Sequence, residues 1–507
     1  MSINRREFLK YTAAGLSGLS VPLSFSCKKT KSPPNILLIC VDDLRPELGC
    51  YGKDYIKTPH LDTLAGEGIV FSRHFIQAPT CGPSRYSLLT GLRPKNTAEL
   101  NNAFMENNFF KRTETETPET FVHHFRRNGY YTVGIGKISH TPDGRIRKDN
   151  LTQELPYSWD EMLCEEGTWG GGFDTFFAYA NGESRASLDF QVPPLECADV
   201  PDEGYPDGLN ANLTVRKLKE LSGKKNPFLL SVGFYKPHLP FNSPKKYWDL
   251  YDRESISLSP NPEVPERTSL NLLHDSREFF GNYQRGKEYG SRGKKVSEEY
   301  AREIRHAYFA AVSYVDAQIG KVLNSLKDLG LDDNTIVVVW GDHGWHLGDH
   351  TIWGKHSPFE RSTHSPLLIK FPGNQQPGSH TKALIETIDI YPTLCKLTGI
   401  SAPKGLEGQS LVKVLNEPRK NGKQAVYSYQ NNRISMRTDR YRLIAQYEKD
   451  STWTFVLFDH KTDPYETINI AENRKDIVEQ LLPLLNEGNT GIIPKINLME
   501  ENLANKR

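Results

Sequence analysis

The sequence carries almost no net charge and lacks the segments that mark membrane-spanning or nucleic-acid-binding proteins. Its 63 lysine and arginine residues balance 62 aspartate and glutamate residues, which gives a formal net charge of +1. This balance argues against a basic nucleic-acid-binding surface and against an acidic tail. The sequence also lacks an apolar run long enough to cross a membrane. An anionic ligand must therefore be bound by cations placed close to it, because the protein as a whole supplies no attractive field.

Cysteine is scarce as well, with seven residues in a chain of 507. So few cysteines argue against a scaffold built from disulfides. Cys40 lies in an apolar run, which favours a buried thiol. Cys164 and Cys197 flank a stretch rich in glycine and proline, and the sequence leaves open whether they form a disulfide. Cys81 differs from the others because of its neighbours, which are described below.

The first residues indicate an export signal. Segment 4–10, NRREFLK, resembles the twin-arginine signal and leads into a weakly apolar run over 11–25. That run is too short and too rich in serine and glycine to span a membrane. We therefore predict an export signal and linker over residues 1–31 and a periplasmic location. Cys27 lies where a lipoprotein would be acylated, but its neighbours fit that motif poorly, so the sequence leaves lipid anchoring open.

Alternating apolar runs and helical patterns predict the fold class. Each apolar run passes directly into charged or imidazole side chains, and the runs cover 36–41, 131–135, 228–234 and 335–340. The helical patterns between them include 58–66, 118–128, 209–221 and 297–329. This alternation predicts buried parallel strands in a doubly wound α/β sheet. Ligands bind beyond the carboxyl ends of such strands, so we expect the four polar clusters to meet at one site.

The chain is too long for one simple core, and its pattern changes toward the end. Two stretches, 149–208 and 252–295, show little periodicity and are predicted to be long surface insertions. After residue 410 we predict a helix over 474–487 and antiparallel strands over 425–429, 434–437, 441–447 and 454–459. We accordingly predict a catalytic domain over 32–415 and a smaller α+β subdomain over 416–507.

Acidic residues at two of the strand ends predict a metal site. Asp42 and Asp43 follow the first strand, and adjacent carboxylates repel each other unless a cation neutralises them. Taken alone, this pair would more simply be a helix cap and a solvated acid. Asp342 and His343 follow the last strand, however, which brings a third acid and an imidazole to the same edge. Oxygen ligands of this kind favour calcium or magnesium over zinc.

Segment 81–91, CGPSRYSLLTG, is the most specific motif in the chain. Cys-x-Pro-Ser-Arg followed by Leu-Thr-Gly resembles the formylglycine signature of type I sulfatases. The resemblance implies an alkaline-phosphatase-like fold with a large mixed sheet flanked by helices, and a sulfuric ester hydrolase. It implies that a sulfatase-maturating enzyme converts Cys81 to formylglycine (3-oxoalanine), whose hydrate is the nucleophile. It also implies one Ca²⁺ at the modified Cys81, held with Asp42, Asp43, Asp342 and His343.

Five further side chains match the family pattern as partners of an anion. By resemblance, Arg85 orients the nucleophile and the metal site, and Lys137 and His140 contact the sulfate and the nucleophile. His238 and Lys355 resemble the pair that contacts the sulfate and the leaving-group oxygen, and one of them is expected to be the general acid. Any one of these residues alone would more often be an ordinary surface residue. Together at one sheet edge they indicate an anionic ligand.

Within the sulfatases, the chain resembles the iduronate-2-sulfatase group. The segments that carry this resemblance are 35–52, 233–241, 308–320 and 342–350. His346 and Asp349 depart from the pattern, as does the shorter C-terminal region. Lys236, Arg361 and His364 lie near the motifs, and the sequence leaves open whether they line the site or pack elsewhere.

The resemblance implies a sulfated oligosaccharide or polysaccharide as the substrate. A uronate 2-O-sulfate of glycosaminoglycan type and an algal polysaccharide such as ulvan both fit, and the sequence does not separate them. A phosphomonoesterase or phosphodiesterase on a related fold is an alternative, although such enzymes usually carry serine or threonine as the nucleophile and a two-zinc site. A non-catalytic glycan-binding protein is a second alternative, but Cys81, Arg85 and the metal ligands are all present.

Overall fold

The computed structural model describes residues 33–146 and 152–496. The predicted export signal over residues 1–31, including Cys27, lies outside these residues. The strands are β1 (Asn35–Val41), β2 (Ile69–Phe71), β3 (His74–Phe75), β4 (Tyr131–Gly136), β5 (Glu161–Leu163), β6 (Leu195–Ala198), β7 (Phe228–Phe234), β8 (Phe241–Pro244), β9 (Thr335–Gly341), β10 (His346–Leu347), β11 (Trp353–Gly354), β12 (Leu367–Lys370), β13 (Ser379–Thr381), β14 (Ile385–Glu386), β15 (Ala425–Gln430), β16 (Arg433–Thr438), β17 (Tyr441–Tyr447) and β18 (Trp453–Asp459). The α-helices are α1 (Pro59–Glu67), α2 (Cys81–Thr90), α3 (Phe104–Asn108), α4 (Phe121–Arg127), α5 (Gly172–Phe176), α6 (Pro206–Ser222), α7 (Lys245–Trp248), α8 (Arg277–Gly281), α9 (Glu298–Asp328), α10 (Glu360–Thr363), α11 (Ile390–Thr398), α12 (Val412–Asn416) and α13 (Lys475–Glu487).

An eight-stranded mixed sheet forms the centre of the fold. Its strand order is β13-β2-β12-β9-β1-β7-β4-β5. The strands from β9 to β5 are parallel, whereas β12 runs antiparallel to both of its neighbours. The four predicted strands are β1, β4, β7 and β9, which lie side by side, and the predicted α/β fold class is confirmed. Strands of two to four residues were not predicted, because so few residues give no readable periodicity.

Alternate side chains of β1 are buried on opposite faces of this sheet. Leu37 and Ile39 pack in one core with residues of α6 and α9. Leu38 and Cys40 pack in a second core with residues of α2 and α4. Helices on both faces explain why the strand is apolar throughout rather than alternating with polar residues. Cys40 is a buried thiol, as predicted.

The predicted helices are present, and they differ from the prediction mainly at two N-termini. The long pattern over 297–329 forms α9, and the pattern over 209–221 forms α6 with a few more residues at its start. The pattern predicted from residue 118 begins at Phe121, because the Thr120 side chain accepts a hydrogen bond from the His123 backbone N–H and caps the helix there.

The C-terminal part forms a separate four-stranded antiparallel sheet. Strands β15 to β18 pair in sequence order, and α13 packs on them through Leu482 and Leu485. These strands and this helix agree with the prediction to within two residues at each end, whereas the domain boundary at residue 415 stays a prediction.

Cys164 and Cys197 are free thiols. Across residues 33–146 and 152–496, no helix is long and apolar enough to cross a membrane.

Candidate active site

The carboxyl ends of β1, β4, β7 and β9 bring the predicted site residues together. Asp42 and Asp43 follow β1, Lys137 follows β4, and Asp342 and His343 follow β9. His238 follows β7, on the turn after it. All of these side chains are buried, although most of them are charged. Charged groups buried side by side require partners of opposite charge, and the contacts below supply them.

The turn after β1 places two carboxylates at one point. Asp43 adopts a φ of 56°, a left-handed conformation that aspartate tolerates better than most residues. The Asp43 backbone N–H donates to Asp342 Oδ1 at 3.0 Å, and its carbonyl accepts from the Tyr308 hydroxyl at 2.7 Å. The turn is therefore tied both to the end of β9 and to α9, so both of its acids are held in place.

Cys81 begins helix α2 and points into this carboxylate cluster. Its Sγ lies 3.5 Å from Asp42 Oδ1 and 3.2 Å from His343 Nε2. The next residue is a glycine because a Cβ at Gly82 would lie only 2.5 Å from the carbonyl oxygen of Asn102. Burial and the neighbouring carboxylate of Asp42 raise the pKa of the Cys81 thiol to about 12. The thiol is therefore neutral and is a poor nucleophile in its unmodified form.

Two cations neutralise the inner side of the cluster. The Arg85 guanidinium donates to Asp342 Oδ2 at 3.0 Å and to Asp42 Oδ2 at 3.3 Å, and Lys137 Nζ lies 2.5 Å from Asp42 Oδ2. Burial alone would raise the pKa of Asp42, but Lys137 and Arg85 hold it well below its usual range. Asp42 is therefore a carboxylate, available as an oxygen ligand.

The negative charge of Asp43 is less well neutralised by its neighbours than that of Asp42. Lys355 Nζ lies 2.9 Å from Asp43 Oδ1, and His343 Nδ1 lies 3.3 Å from the same oxygen. Burial nevertheless raises the pKa of Asp43 well above its usual range, and Lys355 and His343 only partly oppose this. A further cation beside Asp43 would favour its ionised form.

The donor set fits a hard divalent cation. Two groups of residues could each hold a metal ion, because the ligand atoms within each group lie within 4.8 Å of one another. The first group is Asp42, Asp43, Cys81 and His238, and the second is Asp42, Cys81, Asp342 and His343. Together the two groups contain three buried carboxylates, two imidazoles and one thiol. The three carboxylates match the oxygen-rich surroundings of calcium or magnesium, whereas zinc sites are built mainly from nitrogen and sulfur ligands.

The outer side of the cluster carries His238, Lys355 and one acid that the sequence did not single out, Glu278. His238 Nε2 lies 3.0 Å from Glu278 Oε1, and Lys355 Nζ lies 3.4 Å from Glu278 Oε2. His238 Nδ1 faces the Leu239 carbonyl oxygen at 2.7 Å and so carries a hydrogen, which means that only the protonated ring can also donate to Glu278. Burial, with Lys355, lowers the pKa of His238 to about 4, while Glu278 acts in the opposite direction.

These groups open into a cavity of about 670 Å³, into which His140 also points. His140 Nδ1 is buried and has no hydrogen-bond partner among the described residues. Burial and Lys137 hold the pKa of His140 well below its usual range, so the ring is neutral. Both predicted insertions contribute to the walls of the cavity, which is lined by Cys81, Asn102, Lys137, His140, Phe173, Phe176, Phe177, Arg185, Ala186, Phe190, His238, His274, Arg277, Glu278, Asn282, Lys355 and His356.

The residues that the sequence left open lie outside this cavity. Lys236 Nζ turns away and donates to the carbonyl of His238 at 3.1 Å. Arg361 pairs with Asp349 at 3.1 Å, and the His364 ring stacks on Phe75. His346 is buried against the Asp349 carbonyl. The positions that depart from the iduronate-2-sulfatase pattern therefore pack beside the site rather than within it.

Comparison with known proteins identifies the family to which the chain is similar. The family model described as "Sulfatase" matches residues 34–400, and the model described as "N-sulphoglucosamine sulphohydrolase, C-terminal" matches residues 348–489. Iduronate 2-sulfatase of Mus musculus is 35% identical over 398 residues, which cover 73% of this chain and 69% of that protein. A sulfatase of Formosa agariphila is 33% identical over 487 residues, covering 90% and 88%. The structure of the phosphonate monoester hydrolase of Agrobacterium radiobacter matches in fold, with a TM-score of 0.69 at 24% identity over 90% of this chain and 96% of that one.

Proposed function

Because the chain belongs to the sulfatase family and is therefore a sulfuric ester hydrolase, we propose that it uses a formylglycine made from Cys81 and one bound Ca²⁺. The observation that carries this proposal is the position of Cys81. Its Sγ lies within 3.5 Å of Asp42 and His343, in a cluster with the carboxylates of Asp43 and Asp342. A residue converted at this position would face the metal ligands and the cavity at the same time.

The metal would be held by Asp42, Asp43, Asp342 and His343, together with the modified Cys81. When bound, the metal and the aldehyde residue would supply an activated oxygen nucleophile and neutralise negative charge on the sulfate. Arg85 keeps two of the carboxylates in position through its hydrogen bonds to Asp42 and Asp342. All of these groups are buried.

The cations that line the cavity are proposed to bind the sulfate group. Lys137 lies close to Asp42 and Lys355 lies close to Asp43, and both line the cavity. Fixed positive groups in a site that excludes water stabilise developing negative charge more strongly than they would in solution. His140, which is neutral and has an unpaired ring nitrogen, supplies a further polar contact to the sulfate or the nucleophile.

His238 is proposed to be the general acid that protonates the leaving-group oxygen. It lines the cavity, and Glu278 lies in position to stabilise its protonated form. A sugar alkoxide is a poor leaving group, so its departure depends on a proton donor, whereas a phenoxide leaves with little help.

Replacing His238 with glutamine is expected to lower kcat/KM on a carbohydrate sulfate by roughly 10²- to 10⁴-fold. The loss on an activated aryl sulfate should be much smaller, about tenfold or less, because that leaving group needs no proton. Steady-state kinetics on both substrates checks this difference. Glu278→Gln is the companion variant, and it should show a weaker loss with the same dependence on the leaving group. Equal losses on the two substrates would argue against proton donation by His238.

The proposed substrate is a sulfated carbohydrate, either a uronate 2-O-sulfate of glycosaminoglycan type or an algal polysaccharide such as ulvan. The similarity to iduronate 2-sulfatase over 73% of the chain supports the first of these. The site also holds a cysteine where the alternative phosphoesterases usually carry serine or threonine. Export through residues 1–31 and modification of Cys81 by a sulfatase-maturating enzyme complete the proposal.

Sulfate release from a panel of defined substrates tests this function. The panel contains glycosaminoglycan disaccharides that differ in the position of the sulfate, and ulvan oligosaccharides. Mass spectrometry of the peptide that contains Cys81 first establishes that its sulfur has been replaced by the carbonyl oxygen of formylglycine. We expect modified protein to release sulfate from one class and unmodified protein to release none. Modified protein that is inactive on every sugar sulfate would contradict the proposed substrate class.

A further inference from the structure

A second cavity of about 490 Å³ adjoins the first. Asn102, His274 and His356 line both cavities, so the two share a wall or an opening. Asn102 is fixed at this boundary, since its side-chain oxygen accepts a hydrogen bond from the Gly82 backbone N–H at 2.9 Å, next to Cys81. A ligand that occupied the first cavity and extended past these shared residues would therefore lie against the second cavity.

The second cavity is polar and has no acidic residue in its lining, as far as the described residues show. Side-chain amides are frequent, and these groups both donate and accept hydrogen bonds, as recognition of sugar hydroxyls requires. The turn between β15 and β16 contributes part of the wall, so the C-terminal sheet reaches the neighbourhood of the site. The lining residues are Thr80, Leu100, Asn101, Asn102, Asn271, Leu273, His274, Arg292, His356, Gln430, Asn431 and Arg433.

Two arginines in this lining have no carboxylate in direct contact within the described residues. Arg433 donates to Gln446 Oε1 and to the carbonyl of Asn271, both at 2.6 Å, and both acceptors are neutral. Arg292 forms no hydrogen bond or ion pair within residues 33–146 and 152–496, and neither guanidinium has a carboxylate oxygen within 4.0 Å there. Burial lowers the pKa of Arg433, and the positive charge of Arg292 lowers that pKa further. The carboxylate of Glu448 acts in the opposite direction. Two positive groups that repel each other beside a cavity would be stabilised by a bound anion.

We propose that the second cavity binds the sugar unit next to the one that loses its sulfate, and that Arg433 and Arg292 hold an anionic substituent of that unit. This inference rests on the proposed action on a sulfated carbohydrate chain. A sulfate or a carboxylate fits the planar guanidinium of Arg433, which its hydrogen bonds to Gln446 and Asn271 hold in a fixed orientation. The substrate is accordingly an oligosaccharide with negative charge on at least two adjacent units.

The experiment compares four substrates, of which the three disaccharides share one scissile sulfate environment. Three are disaccharides whose second unit carries a sulfate, a carboxylate or no charge, and the fourth is a small aryl sulfate. The mature wild-type enzyme should prefer a charged second unit, and the preference should weaken as the salt concentration rises. The disaccharide that gains most from its charge distinguishes a sulfate from a carboxylate.

Arg292→Gln is the main variant, because the Arg292 side chain is exposed and its loss breaks no described contact. It is expected to lower kcat/KM on the charged disaccharides about tenfold and to reduce the preference for them over the uncharged disaccharide by the same factor. Arg433→Lys, which keeps the charge but loses the fixed orientation, should show a smaller reduction in the same direction. Arg419→Gln removes an exposed arginine that lines neither cavity, and it should leave all four rates unchanged.

Two results would overturn the inference in different ways. Wild-type enzyme that turns over the charged and uncharged disaccharides equally well, or an Arg292→Gln variant with an unchanged preference, would remove the role of the second cavity and leave the proposed function intact. Mature enzyme that releases no sulfate from any sugar would overturn the proposed function and this inference together.

Discussion

Replacing Cys81 with alanine is expected to abolish sulfate release, with a fall in kcat of roughly 10⁴-fold or more. Alanine cannot be converted to formylglycine, so the variant has no nucleophile at this position. Serine at the same place is expected to be inactive as well. It could accept the sulfuryl group, but it lacks the second hydroxyl on the same carbon that would form the aldehyde and break the C–O bond to sulfate. Sulfate release by either variant, measured over long incubations, checks the prediction.

The fold should survive this replacement. Cys81 is almost fully buried, but its Sγ contacts only the side chains of Asp42 and His343 at hydrogen-bonding distance. Loss of one sulfur atom should lower the free energy of unfolding by about 1 kcal/mol, which thermal unfolding can measure. Cys395→Ala is a matched control, since it removes another buried thiol, in α11, and it should keep full activity. A Cys81→Ala enzyme that still releases sulfate from a substrate would refute the proposed mechanism.

Much of the site could be predicted because its residues follow buried strands directly. An apolar run that ends in Asp42 or Asp342 identifies both the strand and the residue at its carboxyl end, and parallel strands bring such ends to one edge. The motif around Cys81 supplied the remaining inner residues through its resemblance to a family. These are local patterns, and a single sequence is enough to read them.

The walls of the site could not be predicted in this way. Glu278 and His274 lie in an insertion with little periodicity, and nothing near them in the sequence distinguishes them from ordinary surface residues. The same is true of Arg292, which lines one cavity with Arg433 because the C-terminal sheet contacts this insertion. Loop conformations depend on distant contacts rather than on local propensity, so the residues that determine specificity emerge only from the structure.

Removing divalent metal with a chelator is expected to abolish activity, and added Ca²⁺ is expected to restore it. The physical reason is the charge of the cluster, where Asp42, Asp43 and Asp342 are buried around one point and Asp43 is poorly compensated. A cation that binds only the folded protein also stabilises it, by about 2.7 kcal/mol at a hundredfold excess over Kd. The midpoint temperature of thermal unfolding should therefore rise with Ca²⁺, which provides a measurement of metal binding that does not require turnover.

Two variants separate metal binding from a general effect of acidic residues. Asp342→Asn keeps the shape of the side chain and removes one charged ligand, so both the activity and the Ca²⁺-dependent shift in Tm should be lost or greatly weakened. Asp316→Asn changes another buried aspartate, one that accepts hydrogen bonds from the first turn of α1, and it should keep both properties.

A larger stabilisation by Ca²⁺ than by Mg²⁺ is expected, because Mg²⁺ dehydrates reluctantly and fits a cluster of buried carboxylates less well. Full activity in protein shown to be free of metal would exclude the proposed centre.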